Sequence, residues 1–441
     1  MVEKNIQIAK RPVATPDPQK TAIEFRSSGL FRAGLLSLMI RSLTLGSKFI
    51  LVLFLARFLS PEELGVWGLI NISIAISLYF LGFDFYIFNT REILAYQESE
   101  CAPMIRDQFV FHLLIYAAVL PLLLILFAAK FIAWQYVGWF YALLILEHVS
   151  QELARLLIAL SRPVAANLVM FLRMGAWAYI VLAAAFYLKE LRNLPSIWSG
   201  WIIGVAVSIL VAGYSLRRLR WRKLGQVSIN WGWIHRGLKV ASPFLLGSMS
   251  FVIVQYIDRY FLQHFWGEAL VGVYTFYFNI ANVIHVFIFT GVAMIIYPRL
   301  IAAYQQGRFD EYRALMKKLS SGIIWGIAIL TGLALFFIDP VLKLIDKQVF
   351  IQYRSVFVIM LAGVALLTAS YIPHYSLYAK KFDKAIIFSA VAALGVALLA
   401  NSLLVPRYGI QGAAYATLSS MSTLMIVKSA AALKLRHRKG R

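Results

Sequence analysis

Long apolar runs separated by short polar stretches dominate the residue pattern of this chain. Crossing about 30 Å of hydrocarbon at 1.5 Å per residue takes roughly 20 apolar residues in a helix. That ruler predicts twelve spanning helices, near 34–58, 66–88, 108–128, 138–160, 167–188, 197–216, 240–262, 271–297, 319–338, 355–378, 385–405 and 413–433. The tightest predicted connection surrounds Lys130, in PLLLILFAAKFIAWQYVGWF. Trp67, Trp134, Trp139, Trp198 and Trp266 fall near predicted ends, where a membrane interface favours aromatic anchors.

A longer period overlies the helical one. Residues 89–97 (NTREILAYQ) match 297–305 (YPRLIAAYQ) at an offset of 208, which sets Arg91 on Arg299 and Ala95-Tyr96-Gln97 on Ala303-Tyr304-Gln305. The same offset sets Asn71-Ile72 on Asn279-Ile280, and Gly65-x-Trp67 falls on Gly272-x-Tyr274 with one residue inserted. The expected organisation is an all-α polytopic membrane protein of two pseudo-symmetric six-helix bundles, 34–216 and 240–433. A tail at 1–33, a basic linker at 217–239 and a second basic tail at 434–441 complete it. Parallel repeats of this kind frame a pathway in many transporters, so transport is the first functional expectation.

Composition fixes the solvent. With 61% hydrophobic and 14% charged residues in 441, the chain has too little polar surface to cover a soluble fold of that size. A net charge of +23 raises a nucleic-acid reading, but the basic residues sit in loops and form no folded basic face. Counted on alternate sides of the spans, 29 Lys and Arg fall on one side with both tails, and 8 on the other. The positive-inside rule makes the first side cytoplasmic. Both termini are then expected in the cytoplasm, with the linker a topogenic segment able to touch anionic lipid. Cys101 is the single cysteine, which excludes an internal disulfide and any CxxC site. The N-terminal residues carry Lys4, Lys10, Arg11, Lys20, Arg26 and Arg32 without a short apolar core, and read as a retained tail.

Candidate chemistry lies in charges where lipid is expected, since a charge there costs about 2.5–3.5 kcal/mol unless it faces a partner or water. Arg41 and Lys48 are seven apart on the first helix, with Ser37 and Thr44 alongside. Asp84 falls late in the second. Glu147, His148, Gln151, Glu152 and Arg155 stack on one stripe of the fourth. Arg173 lies in the fifth, Asp258 and Arg259 in the seventh, His285 in the eighth and His374 in the tenth. Arg41, Arg173 and Lys428 are close enough to a cytoplasmic end to snorkel, whereas Lys48 is too central. Glu147, Glu152 and Arg155 read either as a structural ion-pair ladder or as functional groups, and Asp258-Arg259 as an anchor or a site. Arg41, Lys48, Arg155 and Arg173 together describe a basic vestibule opening inward, suited to an anion held by guanidinium forks.

No G-x-x-x-x-G-K-[ST], H-E-x-x-H or G-x-S-x-G pattern occurs, so neither a catalytic residue, a metal nor a cofactor is expected. Small-xxx-small pairs such as Gly409/Ala413 and Gly412/Ala416 are generic helix-packing signals.

Three stretches carry a family resemblance. LARFLSPEELGVWGLI (55–70), SPFLLGSMSFVIVQYIDRYFL (242–262) and RYGIQGAAYATLSS (407–420) resemble the Wzx-type flippases, the polysaccharide-exporter branch of the multidrug/oligosaccharidyl-lipid/polysaccharide (MOP) superfamily. The matching positions are Leu59, Pro61, Gly65 and Leu69 in the first stretch, and Pro243 and Asp258 in the second. The resemblance implies alternating-access movement of an undecaprenyl-diphosphate-linked oligosaccharide to the outer leaflet, coupled to protons or sodium. It makes Arg41, Lys48, Arg155, Arg173 and Arg259 the expected substrate-binding set and Asp84, Glu147, Glu152 and Asp258 the expected ion-coupling set. Polymerase and glycosyltransferases would be partners, and nucleic acid would not. A drug antiporter of the same superfamily, a polysaccharide polymerase or ligase, and a glycosyltransferase scaffold are the competing expectations.

Overall fold

The computed structural model describes residues 28–95, 101–217, 219 and 228–438. The tail 1–27, Tyr96 and Gln97 of the repeat, most charges of the linker and the last three residues lie outside the described residues. Among the described residues the regular structure is helical throughout, with no strand.

The helices are α1 (Ser28–Phe58), α2 (Pro61–Gly82), α3 (Tyr86–Ala95), α4 (Ala102–Leu122), α5 (Ile125–Ala128), α6 (Val137–Ala159), α7 (Pro163–Phe171), α8 (Trp177–Tyr187) and α9 (Leu194–Leu216). They continue with α10 (Trp231–Trp266), α11 (Glu268–Ile288), α12 (Met294–Gln305), α13 (Phe309–Ile345), α14 (Gln348–Gln352), α15 (Arg354–Ala369), α16 (Tyr371–Ala379) and α17 (Asp383–Arg438). Short π-helical segments at Leu172–Ala176 and Phe289–Ala293 join α7 to α8 and α11 to α12. Among the described residues ten helical stretches are long and apolar enough to cross a membrane. The remaining two spans are also present. α6 is 23 residues long but carries the polar stripe of Glu147, Glu152 and Arg155. α17 is bent at Gly409 (φ 54°) into two successive helices. The fold is thus all-α and polytopic, with two pseudo-symmetric sets of six spans.

The repeat is legible in where helices fail. The predicted second span, 66–88, ends instead at Gly82, because Phe83 and Asp84 both adopt left-handed φ of 51°. Asp84 therefore sits in a break and not late in a helix. At the repeat offset, 81–85 corresponds to 289–293, where the second copy carries its π-helical segment. Both copies interrupt the ladder of i→i−4 hydrogen bonds at the same place, as functional helices often do.

Two compact units emerge from packing. One comprises Met1–Leu51, Ser77–Ala129 and Ala133–Leu245, and the other Val52–Ile76, Lys130–Ile132 and Leu246–Arg441. In the first, Leu157, Ala159, Ala166, Val169 and Ala212 belong to a core that mixes alanines with larger aliphatic residues, and its alanines let α6, α7 and α9 approach closely. An aromatic core of Phe85, Phe88, Phe111 and Trp233 lies in the same unit, with Phe85 stacked on Phe111 at 4.4 Å between ring centres. The tryptophan expectation is corrected here. Trp134 is exposed, but Trp67 and Trp198 are buried, and Trp198 packs on Trp139 and Tyr136 instead of reaching an interface.

In the second unit, α2 and α11 touch backbone to backbone. A Cβ on Gly65 would stand 2.0 Å from the Glu268 carbonyl oxygen, and one on Gly272 would stand 2.0 Å from that of Pro61. Glycine is required at both positions by space alone. Arg57 donates to the Ile345 carbonyl at 3.0 Å. Lys347 donates to the carbonyls of Ala56, at 2.8 Å, and Leu59, so the loop after α13 caps the open end of α1.

Candidate ion-pair site in the first unit

The stripe on α6 divides into two clusters. In the first, Glu147 is buried and accepts the Trp201 indole N–H at 2.6 Å on Oε1. Its Oε2 lies 3.5 Å from Arg173 Nε. Arg173 is carried by the π-helical segment between α7 and α8. The Trp177 indole donates to its carbonyl at 3.0 Å, and Trp177 stacks on Trp201 at 5.8 Å and 10°. Gly175 brings this segment against α1, since a Cβ there would meet Ser47 Oγ at 3.0 Å and Thr44 Cα at 3.1 Å. Tyr179 ties the same pair of helices by donating to the Leu43 carbonyl at 2.8 Å.

That packing sets Lys48 within electrostatic range of Arg173 and Glu147. Lys48 nevertheless stays exposed. Two cations and one carboxylate lie within electrostatic range of one another here, and charges at membrane depth persist where they face a partner or a water-filled cavity. Arg41, two turns earlier on α1, is half-buried.

The second cluster lies about one turn along α6. Arg155 donates to Glu152 Oε1 at 2.6 Å and stacks over the Tyr86 ring at 3.9 Å, with Asp84 in electrostatic range. Gln108 donates to Glu152 Oε2 at 2.8 Å, and Asn89 donates to the Gln108 carbonyl oxygen. His112 Nε2 stands 3.6 Å from Glu152 Oε2. His148 Nδ1 and the Tyr116 hydroxyl are 2.7 Å apart. The break at 83–84 is what swings α3, and with it Tyr86 and Asn89, onto this cluster. His112, His148 and Glu152 offer ligand atoms that all lie within 4.8 Å of one another, the side-chain set in this site with metal-ligand chemistry.

The remaining two expected site residues occupy the second unit. Asp258 and Arg259 are each 1% exposed. Arg259 donates to Asp258 Oδ1 and to the Gln255 carbonyl, both at 2.9 Å, and its guanidinium lies over Phe278 at 4.1 Å. Asp258 Oδ2 accepts from Tyr274 and from Thr417. Every strong lone pair of that carboxylate is spoken for, which is the arrangement that makes a buried pair tolerable. The structure thus brings Lys48, Glu147 and Arg173 together, sets Asp84, Glu152 and Arg155 in a second group, and encloses Asp258 with Arg259.

Sequence reasoning missed His112, Gln108, Asn89, Tyr116 and Trp201. Gln108, His112 and Tyr116 recur every four residues on α4 and so share a face, but only the tertiary fold shows that this face meets the stripe on α6, and that Asn89 and Trp201 join it. It also missed an aromatic row in the second unit. On α16, Tyr371 and Tyr375 stack at 5.8 Å and His374 and Tyr378 at 6.2 Å, while Tyr297 stacks on Tyr375 at 5.2 Å. In the same unit Lys428 is buried, with its Nζ 5.9 Å from the Phe251 ring centre.

Scans of the sequence against protein-family models and against curated proteins gave no match. The fold does match known structures. An inward-facing multidrug resistance MATE family transporter of the MOP superfamily superposes with a TM-score of 0.72 at 16% identity, over 88% of this chain and 94% of that one. An outward-facing MATE family transporter superposes with a TM-score of 0.62 at 15% identity, over 92% and 94%. The chain has the fold of MATE transporters, and it is a multi-pass membrane protein.

Proposed function

We propose that the protein is an alternating-access flippase that moves a polyprenyl-diphosphate-linked oligosaccharide from the cytoplasmic to the outer leaflet of a bacterial inner membrane. The carrying observation is Lys48, an ammonium near the middle of a spanning helix within electrostatic range of Arg173 and Glu147. A diphosphate is the ligand such a spot lacks, because it brings negative charge and acceptor oxygens to cations left without enough acid. Arg41 and Arg155, in the same unit, extend the basic set. The polyprenyl tail would stay in lipid. The fold match to transporters named for both inward- and outward-facing conformations supports alternating access. Both termini would be cytoplasmic, with a polymerase and glycosyltransferases as partners, and Glu147 and Glu152 are the coupling candidates that lie beside the basic set.

Multidrug export is the second reading, favoured by the names of the two matched structures. Against it, Glu147, Glu152 and Asp258 each already face a cationic side chain, which leaves little acid for a cationic drug. Reconstitution separates the two. Proteoliposomes are loaded with a fluorescent polyprenyl-diphosphate oligosaccharide, and its appearance in the opposite leaflet is followed by quencher access. Transfer by the wild type and its loss in Lys48→Ala are expected. No transfer by the wild type, with extrusion of a cationic dye from the same vesicles, would establish the second reading.

A further inference from the structure

We propose that His112, His148 and Glu152 form a binding site for a single divalent transition-metal ion with the ligand preference of Zn2+. The site goes beyond the transport reading and does not depend on it.

Ligand type comes first. Two imidazoles and one carboxylate are a zinc-type donor set, and three protein ligands leave a fourth position open. His148 and Glu152 are one helical turn apart on α6, so they project from one face, and His112 reaches them from α4. Ligand atoms on a tetrahedral ion with bonds of about 2.0–2.1 Å lie about 3.3 Å apart. His112 Nε2 and Glu152 Oε2 are already at 3.6 Å, and the widest separation in the set is within 4.8 Å. Side-chain torsions alone can close that difference.

The hydrogen bonds around the set favour ligation. A metal-binding histidine usually anchors its other ring nitrogen on a carbonyl or a polar side chain, which fixes the tautomer. His112 Nδ1 lies 3.2 Å from the Leu81 carbonyl oxygen. That oxygen can only accept, so the proton is on Nδ1 and the lone pair is on Nε2. His148 Nδ1 is held by Tyr116 at 2.7 Å, and its Nε2 is buried without a hydrogen-bond partner. A buried imidazole nitrogen normally finds a partner. A Cβ on Gly82 would stand 3.6 Å from this nitrogen, 3.6 Å from Glu152 Oε1 and 3.4 Å from Arg155 Nη1, so the bare glycine leaves room beside it.

Charge balance permits the ion. Arg155 pairs with Glu152 Oε1 at 2.6 Å, which leaves Oε2 to the metal, and Asp84 lies within range of Arg155. Asp84, Glu152 and Arg155 together carry one net negative charge when both histidines are neutral. The competitor is the Gln108 amide. Its NH2 now donates to Glu152 Oε2 at 2.8 Å and lies 3.2 Å from His112 Nε2, so it bridges two acceptors where the cation would sit. Metal entry swings Gln108 aside.

The test uses full-length, tag-free protein in detergent, stripped with a chelator and titrated with Co2+ as a spectroscopic probe. The expected result is one Co2+ per chain with visible d–d bands of tetrahedral intensity, displaced by Zn2+. His148→Gln and His112→Gln should each weaken binding at least tenfold while the metal-free melting temperature stays within a few degrees of wild type. Gln108→Ala should tighten binding. Equal affinity and spectrum in His148→Gln and wild type, or no saturable binding by the wild type up to about 1 mM, overturns the site. X-ray absorption of the Zn2+-loaded wild type needs no variant. Imidazole scattering from two histidines is expected, and its absence overturns the proposal even if the variants fail to fold.

Discussion

Gly65 and Gly272, matched to each other by the internal repeat, also meet each other in space: a Cβ on Gly272 would stand 3.0 Å from the Gly65 amide nitrogen. One turn further on, a Cβ on Gly68 would stand 2.6 Å from Thr275 Oγ1. The two copies therefore use equivalent glycines to bring α2 and α11 into backbone contact. A sequence signal that looks like a turn motif is a packing motif between duplicated elements.

Alanine at either glycine should be disruptive, because the atom that must yield is a carbonyl oxygen 2.0 Å away and not the end of a flexible side chain. Gly65→Ala and Gly272→Ala are each expected to cost about 1–3 kcal/mol or more from overpacking. The melting temperature of purified protein in detergent measures this. Gly138→Ala, where nothing lies within 4 Å, should leave it unchanged.

How much was legible in advance follows the physics of each signal. The spans were legible because a bilayer demands about 20 apolar residues at a stretch, and α6 was recognised as a span despite its charges. The end of α2 was not, because the left-handed φ falls on Phe83 and Asp84, which seldom adopt it, and not on the adjacent Gly82. Lys48, Glu147 and Arg173 were each picked out as charges at membrane depth. Their proximity was not readable, since it depends on Gly175 drawing the π-helical segment against α1. His112 belongs to a series with Gln108 and Tyr116 at four-residue spacing on α4, so its face was legible, but its partners on α6 were not.

Topology is tested by the loops. The 29-to-8 asymmetry of Lys and Arg predicts that a reporter after Arg441 is active in the cytoplasm. Reporters at Gly267, between α10 and α11, and at Asp346, the left-handed cap of α13, should be active on the outer side. Cytoplasmic labelling of a cysteine at position 267 would contradict the twelve-span arrangement.

Lys347 links stability to pH. Burial, the largest influence, holds its ammonium below the ordinary lysine value of 10.5, with Glu63 opposing and Arg57 adding to the shift. The unfolded chain therefore binds more protons than the folded one just below pH 10.5, so this residue's contribution to stability rises with pH across that window. It is complete above 10.5 and falls away as pH drops through the lower folded-state value. Melting temperatures of wild type and Lys347→Met, compared between about pH 8 and pH 10.5, should shift in favour of the wild type as pH rises. A constant difference would mean that Lys347 acts through its hydrogen bonds to Ala56 and Leu59 alone.

Glu152 and Arg155 pose the sharpest functional question, since they meet at 2.6 Å on one face of α6 with side chains that are only partly exposed. If the pair is a structural lock, Glu152→Gln strands Arg155 and Arg155→Gln strands Glu152. A stranded charge costs more than an absent pair. The double variant should then recover most of what each single change loses, in melting temperature and in transport alike. If Glu152 instead carries a proton through the cycle, the double variant should stay folded and remain inactive, and wild-type transport should fall when the proton gradient is collapsed. The contact distance and the Gln108 hydrogen bond to the same carboxylate favour the lock, because a relay group held by two donors surrenders its proton-accepting role. Transport in proteoliposomes by the two single variants and the double decides it: recovery in the double establishes the lock, and a stable, inactive double establishes the relay.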